Sequence, residues 1–308
     1  MVGLISYSII INSIAGCRPP KAGNMGMKKA LAATIGAAAV WGASFPAMKY
    51  LLGSYGPLTI IASRFSIAAI IAFSYLAIKK EKISREEALA GIATGIVLFA
   101  SFATQAYGQQ DISAAQSAFI TGLYVIFVPI MSAVSGRKFP MAKTWIAVAM
   151  GLGGLWLLTG GMGGIGIGEG LTVACAVGFA AHIMLLSKYS RLDSLKFVAM
   201  QIATVAFLSS AGMMALEGGE LTFTPLAIIL MALLGIFATL LAYFAQAYAQ
   251  KSIQPETIAL LFLSEPAFAY MFSWALLGEG LGLAKLAGCG LILAGMAVSQ
   301  SGQALQRD

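Results

Sequence analysis

The pentapeptide Gln105-Ala106-Tyr107-Gly108-Gln109 returns as Gln246-Ala247-Tyr248-Ala249-Gln250, 141 residues further along the chain. Other identities recur at the same offset and in the same order: Ile112 with Ile253, Ala118 with Ala259, Phe127 with Phe268, and Gly154 with Gly295. Each pentapeptide ends one apolar segment and is followed by a short loop and a second apolar segment. The shared order indicates an internal duplication.

The composition restricts the class of protein. Apolar residues make up 59% of the 308 residues and charged residues only 10%, against roughly 25% charged residues in soluble domains. The mean hydropathy is +0.87. A soluble domain needs more polar surface than this, which excludes a soluble enzyme, a disordered chain and a nucleic-acid-binding module. The apolar runs are long and do not alternate in polarity, so an outer-membrane barrel is also disfavoured.

Ten segments are apolar enough and long enough to cross a bilayer, which takes about 20 residues per helix. The predicted spans 1 to 10 cover approximately residues 30–52, 57–78, 88–107, 113–134, 143–160, 167–187, 195–216, 224–248, 255–277 and 282–300. With five spans per repeat, the second copy enters the membrane upside down. The sequence thus predicts an all-α membrane protein with ten transmembrane helices, arranged as two inverted-topology five-helix repeats. This architecture is typical of carriers that work by alternating access.

The duplication also divides the chain into segments. We expect an N-terminal tail at 1–27, a first repeat at 28–160, a glycine linker at 161–168, a second repeat at 169–300 and a tail at 301–308. Met25 and Met27 precede span 1, which suggests either a later translation start or a loose amphipathic tail. The linker contains a G-x-G-x-x-G pattern, but a dinucleotide site requires a βαβ unit, so we interpret it as a flexible connection outside the cell.

The distribution of basic residues predicts the orientation. If the N-terminus is cytoplasmic, the cytoplasmic segments carry 16 of the 19 lysines and arginines, and the outer loops carry only Lys285. Such a bias follows the positive-inside rule. We therefore expect a multi-pass protein of the cytoplasmic membrane with both termini in the cytoplasm. The net charge of +7 follows from the same bias and does not indicate a nucleic-acid partner.

Beyond the first turn of each predicted span, four acidic, basic or histidine residues lie within the membrane, namely Lys49, Arg64, His182 and Glu265. Such groups are costly in a membrane and usually face a cavity or a partner. Glu265 lies near the middle of span 9, beside a helix kink expected at Pro266. Its carboxylate suits a cationic substrate group or a proton, or else it is an ion-paired or protonated residue that orders the bundle.

The other three ionisable residues allow alternative interpretations. Arg64 is deep in span 2, where it holds a substrate carboxylate or pairs with a carboxylate such as Glu265. Lys49 is near the outer end of span 1 and is expected to extend to the interface. His182 is the only histidine of the chain. It is either a hydrogen-bonded packing residue or a group that titrates during transport.

Neutral polar and aromatic residues complete the candidate site. Gln105 and Gln246 are related by the duplication, and amides within a bundle either bind substrate or link helices. Trp41, Tyr124 and Tyr243 are candidates for an aromatic-lined cavity that suits small organic molecules. The candidate substrate-binding or coupling residues are therefore Glu265, Arg64, Trp41, Gln105, Tyr124, His182, Gln246 and Tyr243. The three cysteines are far apart and suggest neither a disulfide framework nor a zinc site, and we expect no metal and no cofactor.

Spans 5 and 10 contain glycines that allow close approach of helices, such as Gly151, Gly154, Gly288 and Gly295. Both spans have few polar side chains and no charged residue beyond their first turn. We therefore expect them to lie outside the substrate path, against other helices, the lipid bilayer or a second protomer in a homodimer.

Short motifs recur in a fixed order along the spans. They are Trp41-Gly42-Ala43-Ser44-Phe45 with a trailing Lys49 in span 1, Pro57 followed by Arg64-Phe65 in span 2, Phe119-Ile120-Thr121 with Val128-Pro129 in span 4, and Glu265-Pro266 followed by Leu277-Gly278-Glu279 in span 9. In this order the chain resembles the EamA-type ten-helix transporters of the drug/metabolite transporter superfamily, over about residues 28–300. The resemblance implies a central cavity near helices 1, 3, 4, 6, 8 and 9, and transport of small metabolites.

The sequence thus predicts a secondary transporter that exports small metabolites, with amino acids or related amphiphilic compounds as the preferred substrates. The sequence shows no P-loop for ATP. Proton-coupled transport and uncoupled transport are both open alternatives. Efflux of lipophilic drugs and uptake of metabolites are the alternatives within carriers. A channel, a membrane scaffold or an intramembrane enzyme is a more remote alternative, and no catalytic constellation is apparent in the sequence.

Overall fold

The computed structural model describes residues 26–135, 142–159, 166–218, 222–277 and 282–304. Within these ranges the regular structure is helical and contains no strand. The predictions for the tail at 1–25, for most of the glycine linker and for the last four residues lie outside the described residues. The helices of the described part form the ten expected spans.

The helices agree with the predicted spans to within about four residues at each end. Spans 1 to 5 are Met27–Leu52, Pro57–Ile78, Arg85–Asp111, the pair Ala114–Thr121 and Tyr124–Val134, and Ala142–Thr159. Spans 6 to 10 are Ile167–Lys188, Ser194–Leu216, the segment Pro225–Ala249, the pair Pro255–Phe262 and Glu265–Leu277, and Leu283–Ala304. The second five helices repeat the first five in inverted orientation, so the fold prediction is confirmed.

Two ends of the bundle can be distinguished by charge. Span 1 begins near Lys28, and span 2 ends near Lys79. Spans 6 and 8 end near Lys188 and Lys251, respectively. We call this the basic end, and the opposite end the far end. Apolar residues pack in two clusters, one mainly around spans 4, 5 and 9 and one mainly around spans 2, 3 and 7. Trp41 packs against both clusters, between which the site described below is located.

Spans 4 and 9 are interrupted at positions related by the duplication. Span 4 breaks at Gly122-Leu123 and span 9 at Leu263-Ser264. In span 9 the Leu261 carbonyl accepts from both the hydroxyl and the backbone N–H of Ser264, at 2.7 and 3.1 Å, which tightens the turn at the break. The kink expected at Pro266 is therefore a full interruption, which places the proline in the first turn of a new helix, where its missing N–H costs little.

Span 8 contains a π-helical segment, Leu234–Leu241, between Pro225–Leu233 and Ala242–Ala249. The Ala238 carbonyl of this segment accepts hydrogen bonds from Trp41 Nε1 at 2.8 Å and from Arg64 Nη2 at 3.1 Å. The Thr239 hydroxyl donates to the Leu234 carbonyl, five residues earlier, over 2.9 Å. The wider turn is thus stabilised by side chains of spans 1 and 2. π-helical turns are rare and are often found at functional sites.

Spans 2 and 7 come from different repeats and are joined at both ends. At the far end, Glu217, which directly follows span 7, accepts from the backbone N–H groups of Leu58 and Thr59 at 2.8 Å each. This carboxylate caps the start of span 2. At the basic end, Glu81, after span 2, forms an ion pair of 2.7 Å with Lys196 in the first turn of span 7. The two helices are therefore antiparallel and tied at each end.

Glycines bring helices of different repeats into backbone contact. A Cβ atom added to Gly154 in span 5 would lie 2.6 Å from the Gly288 carbonyl oxygen in span 10. A Cβ atom added to Gly95 in span 3 would lie 2.8 Å from the Gln201 carbonyl oxygen in span 7. Larger residues at these positions would force the helices apart.

The expectation that spans 5 and 10 lie outside the substrate path agrees with this packing, because their glycines face each other within one chain. The opposite faces of the two helices carry large exposed apolar residues, with exposed fractions of 54% for Ile146 and Trp156 and 58% for Leu293. These faces are suited to lipid. Association with a second protomer through them stays a prediction.

Candidate functional site

A cavity lies in the middle of the bundle, between spans 1, 2, 3, 4, 6, 8 and 9. Its lining residues are Trp41, Ser44, Phe45, Met48, Arg64, Phe102, Gln105, Gln109, Thr121, Tyr124, Phe179, His182, Ile183, Tyr243, Gln246, Phe262 and Glu265. All of them except Trp41, Ser44 and Phe179 are buried. Its volume of about 60 Å³ holds about four to six water molecules, at 10–15 Å³ for each. All eight candidate residues from the sequence line this one cavity.

Both repeats contribute to the lining of the cavity. Several of its lining residues are pairs at the 141-residue offset: Trp41 with His182, Phe102 with Tyr243, Gln105 with Gln246, Thr121 with Phe262, and Tyr124 with Glu265. The positions are thus duplicated, whereas the chemistry has diverged at every pair except Gln105 with Gln246. Arg64 adds the second charge from a position outside these pairs.

Glu265 is the first residue of the second helix of span 9 and is 8% exposed. Its carboxylate lines the cavity, and over the described ranges it forms no side-chain hydrogen bond and no ion pair. Tyr124 and Tyr243 are close enough to interact with it electrostatically. A carboxylate with free acceptor positions can bind an ammonium group or a proton that enters the cavity.

Arg64 is not paired with Glu265. It is 1% exposed, and its Nε donates to the Thr239 hydroxyl at 2.9 Å. Its Nη2 donates to the Ala238 carbonyl at 3.1 Å, and its guanidinium carbon lies 5.0 Å from the ring centre of Phe102. Because the guanidinium has five N–H groups, and a third contacts the sulfur of Met48 at 3.8 Å, two remain without an acceptor in the described part of the chain. Of the two alternatives left by the sequence, the ion pair with Glu265 is wrong.

Aromatic rings form one wall of the cavity. The Trp41 ring centre lies 4.9 Å from that of Phe262 and 5.2 Å from that of Tyr243. The Tyr243 ring in turn contacts the imidazole of His182 edge-on, at 5.5 Å. Such clusters are rigid and apolar, and they suit the apolar part of an organic substrate.

His182 forms a hydrogen bond of 3.0 Å between its Nε2 and the Gln201 side-chain oxygen. Both side chains are buried. The hydrogen-bonded packing interpretation of this histidine therefore has a partner in span 7. Its possible titration is an untested prediction.

The repeated glutamines form hydrogen bonds close to the cavity, between spans 3 and 4 for Gln105 and within the end of span 8 for Gln246. Gln105 donates to the Thr121 hydroxyl over 3.1 Å, and Gln246 donates to the Gln250 side-chain oxygen over 3.1 Å. The oxygen of Gln246 is buried and has no hydrogen-bond partner in the described residues. It is therefore free to accept a hydrogen bond from a ligand.

The last glutamine of each pentapeptide has a function that the sequence analysis missed. Gln109 donates from Nε2 to the Phe45 carbonyl in span 1 over 3.2 Å. Its counterpart Gln250 donates to the Ile183 carbonyl in span 6 over 2.8 Å. The first tie lies toward the far end and the second toward the basic end. The duplication itself was the signal that could have identified them, because it matches these two amides to each other.

Lys49 does not extend freely to the interface, contrary to the expectation. Its ammonium donates to the carbonyls of Gln109 at 2.7 Å and Ile112 at 2.9 Å. These carbonyls lie at the C-terminal end of span 3, where a cation is favoured by unpaired acceptors and by the helix dipole. Lys49 therefore links spans 1 and 3 at the far end.

Comparison with known proteins agrees with this architecture. A model of the EamA-like transporter family matches residues 28–160 and residues 166–300. Two proteins of Archaeoglobus fulgidus, each described as an uncharacterized transporter, are 28% identical over 256 and 268 residues. Each match covers 83% of this chain, and the matches cover 80% and 93% of those proteins.

A solved crystal structure superimposes with a TM-score of 0.76 at 18% identity, over 88% of this chain and 96% of that chain. At this identity the likeness shows the fold alone. The family match covers both halves of the chain and confirms the resemblance seen in the motifs. This chain is therefore a multi-pass membrane protein that belongs to the EamA-like transporter family.

Proposed function

We propose that this protein is a secondary carrier that exports small zwitterionic metabolites, of the amino-acid type, across the cytoplasmic membrane by alternating access. The observation that carries the proposal is the buried central cavity, which contains one cationic and one anionic side chain that do not pair with each other. Both Arg64 and Glu265 retain unused hydrogen-bonding capacity there.

The charges favour a zwitterion over a substrate with a single charge. Two opposite charges that stay apart in a medium of low dielectric constant can both be neutralised by a ligand that carries both signs. A carboxylate suits the two free N–H groups of Arg64, and an ammonium group suits Glu265. The aromatic wall of Trp41 and Tyr243 would then contact an apolar side chain.

The size of the cavity supports a mechanism with moving helices. Space for about four to six waters, within about 60 Å³, leaves little room for an amino acid with a large side chain. All but three of its lining residues are buried, and we propose that substrate enters when helices at one end separate. The ties of Gln109 and Gln250 lie toward opposite ends of the cavity, and we propose that they open in alternation.

If the hydrogen bonds of Gln109 and Gln250 open in alternation, substitutions of the two residues should increase access to the cavity from opposite ends. Gln109→Leu removes the hydrogen bond to Phe45 and should raise the labelling rate of Ser44→Cys from the far end several-fold. Gln250→Leu should raise the labelling rate from the basic end instead. The measurement is modification by a membrane-impermeant maleimide in right-side-out and everted vesicles, with the native cysteines replaced.

Gln110→Leu is the matched control, because Gln110 is a neighbouring amide whose side chain is exposed. Its labelling rates should equal those of the parent protein. Equal labelling from both ends in all three variants would contradict the proposed alternation.

The proposed orientation can be tested with two exposed positions. Ser54 lies between spans 1 and 2 at the far end, and Lys82 lies between spans 2 and 3 at the basic end. A cysteine at Ser54 should react with an impermeant maleimide in whole cells, whereas one at Lys82 should react only after permeabilisation. The reverse pattern would overturn the cytoplasmic placement of the termini.

Counterflow in proteoliposomes tests the function itself. Vesicles that contain the purified protein are loaded with a mixed pool of amino acids, choline and nucleosides, and uptake of each labelled compound is then measured. Uptake of a labelled amino acid against the preloaded pool supports the proposal. Exchange of only choline or a nucleoside would contradict a zwitterionic substrate, and no exchange would favour a lipophilic substrate.

A further inference from the structure

A second cavity lies at the basic end, outside the central site. It is formed by the end of span 2, the start of span 7 and the end of span 8, and has a volume of about 290 Å³. Its walls include Tyr75, Lys79, Phe244, Tyr248 and Lys251. We call it the interfacial pocket, because the ends of membrane spans lie at the level of the lipid headgroups.

The two carboxylates of the interfacial pocket are already bound. Glu81 pairs with Lys196 at 2.7 Å. Asp193 accepts from the backbone N–H groups of Leu195 and Lys196 at 3.0 and 3.1 Å, which caps the start of span 7. Neither carboxylate forms an ion pair with the remaining cations of the pocket in the described residues.

Lys79 and Lys251 are those remaining cations. Neither forms an ion pair within the described ranges, and the ammonium of Lys79 lies 5.9 Å from the ring centre of Tyr75. Two ammonium groups on one pocket, without a carboxylate partner, leave it with a surplus of positive charge. Such a pocket favours a multivalent oxygen anion, of which a phosphate group is the most common.

The aromatic side of the pocket is exposed at the surface of the bundle. Tyr75 and Tyr248 are 49% and 41% exposed, and the rings of Phe244 and Tyr248 stack at 6.0 Å with an interplanar angle of 14°. Tyrosines at this level are typical of membrane interfaces, where the ring contacts acyl chains and the hydroxyl faces water. The pocket thus combines a cationic side with an apolar side.

We propose that the interfacial pocket binds an anionic phospholipid of the cytoplasmic leaflet, with its phosphate on Lys79 and Lys251 and its upper acyl chain along Tyr75 and Tyr248. The inference is independent of the transported substrate. The bound lipid would contact the outer face of Ala242–Ala249, a helix whose inner face contributes Tyr243 and Gln246 to the central cavity.

The test uses the full-length protein in nanodiscs of phosphatidylcholine with increasing fractions of phosphatidylglycerol. Retention of phosphatidylglycerol is measured by native mass spectrometry, and stability by thermal unfolding. We expect phosphatidylglycerol to be retained and to raise the unfolding temperature. The double variant Lys79→Gln/Lys251→Gln should bind it roughly 30-fold more weakly, since each lysine near an anionic surface contributes about fivefold.

Two further variants separate a specific site from general charge attraction. Lys28→Gln/Lys29→Gln removes the same charge from exposed positions at the same end and should retain the lipid effect. Lys79→Arg/Lys251→Arg should retain it as well. In pure phosphatidylcholine the double glutamine variant should unfold at the wild-type temperature, which verifies its fold.

Three outcomes would overturn the proposal. The first is equal retention of phosphatidylglycerol by the wild type and the double glutamine variant. The second is equal loss in the Lys28/Lys29 variant, which would indicate unspecific attraction. The third is full reproduction of the stabilisation by inorganic phosphate in phosphatidylcholine nanodiscs, which would assign the pocket to a soluble phosphate.

Discussion

Glu265→Gln is expected to reduce exchange of a zwitterionic substrate roughly 30- to 1,000-fold, which corresponds to about 2–4 kcal/mol for the loss of one partner of a buried charge pair. The substitution keeps the shape of the side chain and removes the only negative charge among the described lining residues of the cavity. Counterflow of a labelled amino acid is the measurement.

The same variant should not lose stability, because the carboxylate has no hydrogen-bond or ion-pair partner in the described residues whose loss would destabilise the fold. Removal of an unpaired buried charge is neutral or stabilising. Thermal unfolding of the purified variant tests this part. A marked fall in the unfolding temperature would favour the alternative in which Glu265 orders the bundle.

Glu256→Gln provides the matched control, since Glu256 lies in the first turn of the same span but outside the cavity. Its exchange rate should remain close to that of the wild type. If Glu265 also carries a proton, exchange by the wild type should depend on pH, and exchange by the glutamine variant should not. A flat pH profile for both proteins would remove the coupling role and leave ammonium binding.

Arg64→Gln is expected to be selective among substrates. An amino acid should lose roughly 30- to 1,000-fold in exchange, again because one partner of a buried charge pair is lost. The corresponding amine, which has no carboxylate, should lose much less. Competition of phenylalanine and phenethylamine for the same labelled substrate measures the difference, and equal losses would contradict carboxylate binding by Arg64.

Unlike the glutamate variant, Arg64→Gln should also destabilise the protein. Arg64 donates to Thr239 and to the Ala238 carbonyl of the π-helical segment, and each lost bond of a charged donor costs about 1.5–3 kcal/mol. Thr239→Val removes the acceptor of one bond and keeps the charge. It should lower the unfolding temperature while the preference for the amino acid over the amine is retained, which separates the two effects.

Much of the fold was predictable because a bilayer leaves few alternatives. Apolar segments of sufficient length must be helices that satisfy their own backbone groups, so the ten spans follow from counting. The candidate site was predictable for a related reason. Contact with lipid is unfavourable for polar and ionisable side chains such as Glu265, Arg64 and the glutamines of the repeat. Such side chains are therefore expected together in an interior cavity.

The local departures from regular helix were only partly predictable. Pro266 indicated a kink in span 9, and the duplication could have transferred the break to Gly122-Leu123 in span 4. Nothing comparable indicates the π-helical segment Leu234–Leu241, since its residues also suit a regular helix. That segment is stabilised by Trp41 and Arg64, which are distant in sequence.

The sequence also did not predict which groups the charged side chains within the spans contact. Sequence alone placed Arg64 and Glu265 in the membrane but did not fix the distance between them, and the proposed pair between them was wrong. Lys49 was assigned to the interface because its side chain is long, whereas the nearest unpaired acceptors are the carbonyls at the end of span 3. Such choices depend on helix packing, which the apolar pattern does not specify.

The contacts between spans 2 and 7 bear on which parts of the protein move against each other during transport. A duplication produced two halves, but contacts at both ends of spans 2 and 7 join them. Glu217, after span 7 of the second half, caps the start of span 2 in the first half. Glu81, after span 2, pairs with Lys196 at the start of span 7. The backbone contact of Gly154 with Gly288 joins the halves again. We therefore expect that the inherited repeat is not the unit that moves during transport. Conformational change is expected instead in the helices around the cavity, which move against a frame to which both ancestral copies contribute.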